Sequence, residues 1–368
     1  MSFIIEGLRV PTGKAYGYYK STMPEILAAH LLKEFRQRYP FLEQELDEVI
    51  MGNAIGTGGN MARYESLAAG FSVQIPATTV DMQCGSSQKA ILMGDSQIKS
   101  RQSKCVLVGG MESNSLSPKR QYQPRDPRFV DENTFYTRAS FAPENDIDLK
   151  ESAENLAHKY QISKDEMLDW TLRSHELATK ADLSSVILPF GDKVIDQTLR
   201  RNLSFEQLQK TQSDCLIDHT NTAHLHDGAG AMLLASKEIC EKYNLKAKAK
   251  ICESVIVGGL PQLSPMGAIW AAEALLKKTN LTLNDIDLIE VNESFAVKPL
   301  AFMKHFGISA EKLNIFGGNL AFGHPFGASG TINLLHLISA LEQKNKKRGL
   351  FTAGIAGGLG CAILVERV

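Results

Sequence analysis

The sequence predicts an α/β protein built from two similar halves, and three observations predict it. Over residues 1–115, short apolar strand patterns alternate with amphipathic helix patterns, the arrangement of a sheet covered on both faces. The same alternation returns at Asp227 and runs to the end of the chain. One motif occurs once in each portion. Cys84-Gly-Ser-Ser opens a helix, followed by a basic turn (Lys99–Lys104), a strand and Gly109–Gly110. Gly327-Ala-Ser-Gly opens another, followed by Lys344–Arg348, a strand and Gly357–Gly358.

In order, Phe3–Ile5 reads as a strand and Met23–Phe35 as an amphipathic helix. Leu46–Met51 reads as a strand ending in the turn-rich Gly52–Asn60. Cys84–Ile98 runs on as a helix, and Cys105–Val108 is a short buried strand closed by its glycine pair. Ser117–Phe141 holds three prolines and four arginines and reads as a long excursion. Ile147–Lys159 and Lys164–Ala181 read as helices, the second with acidic residues early and basic residues late, as the helix dipole favours. Later strands are expected at Ala229–Ala235, Lys248–Val257, Ile286–Val291, Leu350–Thr352 and Ala362–Glu366. Helices are expected at Trp270–Lys278, Val297–Phe306 and Thr331–Leu341.

The expected division is residues 1–115 with 227–250 as the first half and 251–368 as the second. Residues 116–226 form an inserted cap between them. Asp47 precedes a strand ending at Asn53, and Asp287 precedes one ending at Asn292, a second match in the same order.

Duplication has a chemical consequence. Cys84 and His324 sit at matching loop-to-helix junctions, which meet if the halves pack about a pseudo-twofold axis. His324 lies in GGNLAFGHPFGASG, residues 317–330, where Pro325 restricts its backbone. By itself that stretch reads equally as a catalytic loop or as a structural loop with a hydrogen-bonded histidine. A cysteine at a helix N-terminus has a lowered thiol pKa.

Composition narrows the function. The 368 residues are about two domains' worth at roughly 150 each. A net charge of −1 argues against a general nucleic-acid or membrane-surface role. No apolar run reaches the roughly 18–20 residues that span a bilayer. The first residues lack the pattern of a secretory signal, so a cytoplasmic location is expected. The six cysteines form no CxxC pair, so no metal site is expected and the thiols read as reduced.

Four loops read together carry a resemblance: DMQCGSS at 81–87, NESFA at 292–296, residues 317–330, and TAGIAGGLG at 352–360. They resemble the thiolase family, which makes or cleaves 3-ketoacyl-CoA. GLRVPTGK at 7–14, MGNAIGTGGNMAR at 51–63, IPATTVDMQCGSS at 75–87, GGMESNS at 109–115, DQTLRRNLSFEQL at 196–208 and HDGAGA at 226–231 extend it along nearly the whole chain. The resemblance implies a five-layer αβαβα core and a homodimer or homotetramer. It implies acyl-CoA or CoA as substrate, with no permanently bound cofactor.

It also implies roles. Cys84 resembles the nucleophile that takes the acyl group as a thioester, and His324 the histidine that activates it. Asn292 is similar to the asparagine that positions a water beside the thioester oxygen. A second oxyanion site would use the backbone N–H groups of Cys84 and Ala356. Glu293, in the position of the family's NEAF glutamate, would support its loop. Phe295, Met266 and Leu149 fall where the family lines its pantetheine channel, with core packing an equal reading. Arg200, in the pattern Asp196–Arg200, resembles a residue near the CoA adenine. Lys119, Arg120, Arg125 and Arg128 read as a solvated basic loop or as phosphate contacts.

The main departure is at residue 354. The family places a second cysteine there, in a pattern like CIGGG, as the acid/base for the substrate's α-carbon. This chain has Gly354, and Cys361 lies on a strand expected to point away. The expectation is therefore ready acyl transfer but a slow carbon–carbon step, with Gly354→Cys restoring it if the loop admits a side chain. Asp148–Leu149–Lys150 and Thr220–His224 also depart from the family's pattern and put substrate identity in doubt. The rival readings are a ketoacyl-synthase-like condensing enzyme and a non-condensing acyl-CoA-binding or subunit homologue.

Overall fold

A computed structural model describes residues 1–56, 58–136 and 146–368. Its strands are β1 (Ser2–Arg9), β2 (Gly13–Lys14), β3 (Glu48–Gly52), β4 (Ala77–Val80), β5 (Cys105–Glu112), β6 (His226–Ser236), β7 (Ala249–Gly258), β8 (Leu288–Val291), β9 (Arg348–Ile355) and β10 (Leu359–Arg367). They run in the order β4-β3-β5-β6-β1-β7-β10-β9-β8, with β2 paired to β6.

That order is one pattern used twice. In the first half β3 pairs parallel with β5, β5 antiparallel with β6, and β6 antiparallel with β1. In the second, β8 pairs parallel with β9, β9 antiparallel with β10, and β10 antiparallel with β7. The parallel partner outside β3 is β4, and outside β8 it is a single bridge from Ile289 to Leu313. A short antiparallel pairing of Ser2–Ile4 with Ala249–Ile251 joins the halves.

The repeat extends to single hydrogen bonds. Asp47 Oδ2 accepts from the N–H groups of Lys104 (2.6 Å) and Cys105 (2.9 Å). Asp287 Oδ2 accepts from those of Lys347 (3.0 Å) and Arg348 (2.8 Å). Each carboxylate satisfies donors left over where a strand begins, the same solution at the same place.

Side chains alternate across a strand, so each half's strands feed two cores. Val49, Met51, Leu107 and Leu233 pack outward against the helix Pro24–Arg38. Ile50, Val106, Val108 and Leu234 pack inward, in one apolar cluster with Phe351, Ala353 and Ile363 of the second half. The helices Ser86–Lys99 and Phe326–Gln343 lie between these inward faces and touch each other. Leu350, Ala362 and Leu364 face outward against the helices Gly267–Thr279 and Val297–Phe306. The result is the αβαβα layering. The central helix Phe326–Gln343 is apolar nearly all round because it is covered on all sides.

One sequence expectation changes. β5 does not stop at Val108 but continues through Gly109–Gly110 to Glu112. A Cβ on Gly109 would lie 2.1 Å from Gly230 O, and one on Gly110 2.1 Å from Gly327 O. The glycine pair admits close backbone neighbours rather than ending the strand.

Between β5 and β6 the chain forms the helices Leu149–Tyr160, Lys164–Lys180 and Phe205–Thr211. Residues 137–141 of the expected excursion lie outside the described residues. The first two helices pack with the second half through Ala153, Leu156, Met167 and Trp170. The first half is held to this section by apolar contacts of Leu188 and Phe190, by backbone bonds of Arg9 to Val186 and Leu188, and by a buried ion pair. Arg9 meets both oxygens of Asp196 at 2.7 and 2.8 Å, and Thr12 N–H donates to the same carboxylate at 2.7 Å. No helix among the described residues is long and apolar enough to cross a membrane.

Candidate active site

The two central helices begin side by side. Thr331 N–H, in one, donates to Ser87 Oγ at the start of the other (3.0 Å). Glu112 fastens the surrounding loops: its carboxylate accepts from Asn53 Nδ2, Ala54 N–H and Gly327 N–H, each at 3.0 Å. Around the two helix starts lies a mostly apolar cavity of about 170 Å³. Cys84 and His324 both line it, with Leu149, Phe295, Ser294, Gly354 and Ala356 among the other wall residues.

Cys84 sits in a single 3-10 turn, Gln83–Gly85, ahead of its helix. Gln83 has φ +52°, a conformation unfavourable for a non-glycine residue. Its N–H donates to Asp81 Oδ1 (2.7 Å) and its carbonyl accepts from Ser86 Oγ (2.6 Å), which hold the turn. Burial pushes the Cys84 thiol up to about 11, against the pull of Lys298. At rest the residue is therefore a neutral thiol, and the thiolate expected from the helix end alone is outweighed by desolvation.

His324 is fixed from three sides. Gly323, at φ +82°, brings the backbone so close to His226 that a Cβ would lie 2.1 Å from its ring. The His324 N–H donates to His224 O (3.1 Å). Its Nδ1 lies 2.6 Å from Ser329 Oγ, which gives its own proton to Pro325 O at 2.9 Å. With that proton spent, the hydroxyl accepts from Nδ1–H, and Nε2 carries the lone pair. Nε2 is buried without a hydrogen-bond partner among the described residues. Burial, helped by Lys298 and His226, holds the imidazole down to about 3, so it is neutral, with its lone pair at Nε2.

The other sequence-predicted residues divide. Phe295, Leu149 and Ala356 line the cavity. Met266 does not: it packs in the outer apolar core of the second half, while its neighbours Ser264 and Pro265 form the wall. Arg200 lines a separate polar pocket of about 150 Å³ with His175, His219 and His224. The two pockets share the 219–225 loop, because Thr222, Ala223 and Leu225 face the first. Asp196 of the same motif serves the buried pair with Arg9.

Arg128 pairs with Asp126 (2.7 Å), and Arg120 donates to Gly56 O (2.6 Å), so these two basic residues are held by the protein itself. Glu293 supports its loop: it accepts from Trp170 Nε1 (2.9 Å), Asn314 Nδ2 (2.8 Å) and Ser174 Oγ (2.7 Å).

Asn292 is buried behind the wall. Its Nδ2 donates to Asn319 Oδ1 (2.9 Å), and its Oδ1 accepts from Lys298 Nζ (2.8 Å). Lys298 is a residue that reading the sequence overlooked. It is 2% exposed and also donates to Ser294 Oγ (3.1 Å) and Gly354 O (3.0 Å). The signal was a cation near the start of an apolar helix, where the dipole disfavours it.

Gly354 has no room for the side chain that the sequence reading would restore there. A Cβ there would lie 2.6 Å from Pro265 O and 2.8 Å from Ser264 O, so backbone already fills the space a side chain needs. The loop does not admit a cysteine. Cys361 is buried in the central core, outside the cavity wall, and burial pushes its thiol up to about 12. Among the described residues no group of three or more His, Cys, Asp or Glu side chains could hold a metal ion.

Family models described as "Thiolase, N-terminal domain" and "Thiolase, C-terminal domain" match residues 2–238 and 245–367. A Staphylococcus epidermidis protein named "Putative acetyl-CoA C-acetyltransferase VraB" is 35% identical over 99% of this chain and 98% of its own. Among solved structures, the Bacillus anthracis acetyl-CoA acetyltransferase superposes with a TM-score of 0.92 at 30% identity, covering 100% of this chain and 98% of that one. Human mitochondrial 3-ketoacyl-CoA thiolase in complex with CoA gives 0.91 at 29%, with the same coverage.

Proposed function

Since this chain belongs to the thiolase family and is an acyltransferase of that family, we propose that it works as an acetyl-CoA C-acetyltransferase through an acyl-Cys84 thioester. The observation that carries this reading is the shared cavity: a thiol from one half and, from the other, an imidazole nitrogen with no partner among the described residues. His324 Nε2 takes the thiol proton as sulfur attacks the thioester carbonyl, and the CoA sulfur departs as a thiolate. The backbone N–H groups of Cys84 and Ala356 hold the oxyanion. CoA thioesters enter and leave as substrates.

Asn292, expected to position a water at the thioester oxygen, is placed instead as a support for Lys298, because Asn319 and Lys298 take up both its amide atoms behind the wall. Phe295 and Leu149 contact the acyl or pantetheine portion. Arg200, across the shared loop, contacts the nucleotide end. Residues 116–226 serve as the cap over the site. The outer edge of β4 pairs with no strand among the described residues, which supports a homodimer formed through that edge. Six free thiols suit the cytoplasm.

The test is purified protein mixed with acetyl-CoA and read by intact mass, followed by thiolysis of acetoacetyl-CoA. The reading predicts one acetyl group on Cys84 and release of acetyl-CoA on adding CoA. Absence of an acyl-enzyme would overturn it, and a monomer by light scattering would overturn the dimer.

A further inference from the structure

We propose that Ser294 and Lys298 form a proton-transfer pair that serves the substrate's α-carbon in place of a side chain at residue 354. The inference rests on the acyl-transfer reading above and deepens it. Any carbon–carbon step at this site must move a proton at that carbon, and Gly354 has nothing to move it with. Cys361 is buried elsewhere in the core.

The geometry is specific. Ser294 lines the cavity beside Cys84, His324 and Gly354. Its hydroxyl accepts from Lys298 Nζ at 3.1 Å, and its own proton has no acceptor among the described residues. Lys298 does not reach the cavity itself. Its three donors meet three neutral oxygens, on Asn292, Ser294 and Gly354, at 2.8, 3.1 and 3.0 Å. That is the fully protonated amine held in place with no carboxylate at its head among the described residues.

Such a buried cation releases a proton readily. Burial brings Lys298 down to about 8, with Cys84 and Glu293 opposing the shift, and His324 is the other titratable group coupled to it. A lysine behind a serine is a known solution for moving a proton through a hydroxyl.

Thiolysis begins at Cys84. His324 takes the Cys84 proton, and the thiolate attacks the β-carbonyl of a 3-ketoacyl thioester. The Cα–Cβ bond breaks, and its electron pair goes to the α-carbon as the enolate of the departing thioester. The α-carbon takes the Ser294 hydroxyl proton, and Lys298 refills the serine and becomes a neutral amine. The amine is reprotonated, through Ser294, by the incoming CoA thiol. CoA sulfur then attacks the acyl-Cys84 carbonyl, the Cys84–acyl bond breaks, and the Cys84 thiolate recovers its proton from His324. Condensation is the reverse.

The experiment compares the full-length protein with Ser294→Ala and Lys298→Gln. Exchange of acetyl-CoA α-hydrogens with deuterated water is followed by NMR, and acetyl-Cys84 formation by mass. In both variants exchange is expected to fall about 10²-fold or more, while acylation falls by less than about tenfold. The wild-type exchange rate bends with pH where Lys298 titrates, and Lys298→Gln loses that bend.

Unchanged exchange in either folded variant overturns the proposal, as does a proportional loss of exchange and acylation. If Lys298→Gln does not fold, Ser294→Ala, which deletes one oxygen, decides alone. A wild type that acylates without exchanging overturns the pair and leaves the acyl-transfer reading standing. One that does neither overturns both.

Discussion

The two halves answer the same structural problem with the same backbone, down to Asp47 and Asp287 binding equivalent amides. They differ in how the chain enters the central helix. In the first half a strained turn at Gln83 presents a cysteine. In the second, a glycine packed against His226 and a serine at Nδ1 present a histidine. Duplication provides two helix starts at one place, and divergence puts a thiol at one and an imidazole at the other, both on one cavity. They differ also in attachment to residues 116–226: the buried pair Arg9–Asp196 adds to apolar contacts in the first half, and the Glu293 carboxylate, accepting from Trp170 and Ser174, adds to them in the second.

The largest effect that sharpens this contrast is loss of the nucleophile. Cys84→Ser is expected to lower acyl transfer by at least about 10³-fold, whereas Cys361→Ser keeps it. A labelled Cys361 after acetyl-CoA treatment would reverse the assignment. Next is the attachment of the first half. Asp196→Ala leaves Arg9 buried and unpaired and should cost about 3–5 kcal/mol in denaturant unfolding. A loss under 1 kcal/mol would mean the pair is dispensable.

Gly354→Cys should destabilise by about 1–3 kcal/mol through overpacking against Ser264 and Pro265, with no gain in thiolysis. A stable variant with faster thiolysis would show that the loop yields.

Much of this arrangement was legible in the sequence. The helix Val297–Phe306 has the predicted limits, and the matching motifs at Cys84 and Gly327 foretold the paired helices. Period and punctuation are local signals, so they survive in one dimension. What did not survive depends on neighbours far along the chain. Gly109–Gly110 read as a strand end because glycine usually punctuates, yet close backbone neighbours require it. Met266 and Pro265 are adjacent, and only packing decides which of them faces the cavity. The thiolate expectation weighed the helix end without the burial that outweighs it. Lys298 went unread because its partners come together only in the fold.

Smaller effects probe the histidine side. Ser329→Ala frees the imidazole to adopt the other tautomer and should slow acylation by about tenfold, the worth of one buried hydrogen bond. No change would show that packing alone orients the ring. The smallest expected effect concerns pH. With His324 held down to about 3, the base stays neutral from pH 8 to pH 5, so acylation should show no loss near pH 6.5 from its protonation. The same depression works against stability. The unfolded chain takes up a proton on this residue below about 6.5 and the folded chain does not, so its contribution falls as pH drops from there toward 3. An acylation limb at pH 6.5 that disappears in a His324 variant would contradict the burial argument.

The central claim is that each half supplies one group to a single reaction. The most direct measurement is the single-turnover rate of Cys84 acetylation by acetyl-CoA in wild type and in His324→Ala, with the acyl peptide mapped by mass spectrometry. The account predicts acetyl on the Cys84 peptide in wild type and a rate about 10²–10⁴-fold lower without the imidazole. Acetylation of Cys84 at the wild-type rate in His324→Ala would contradict it.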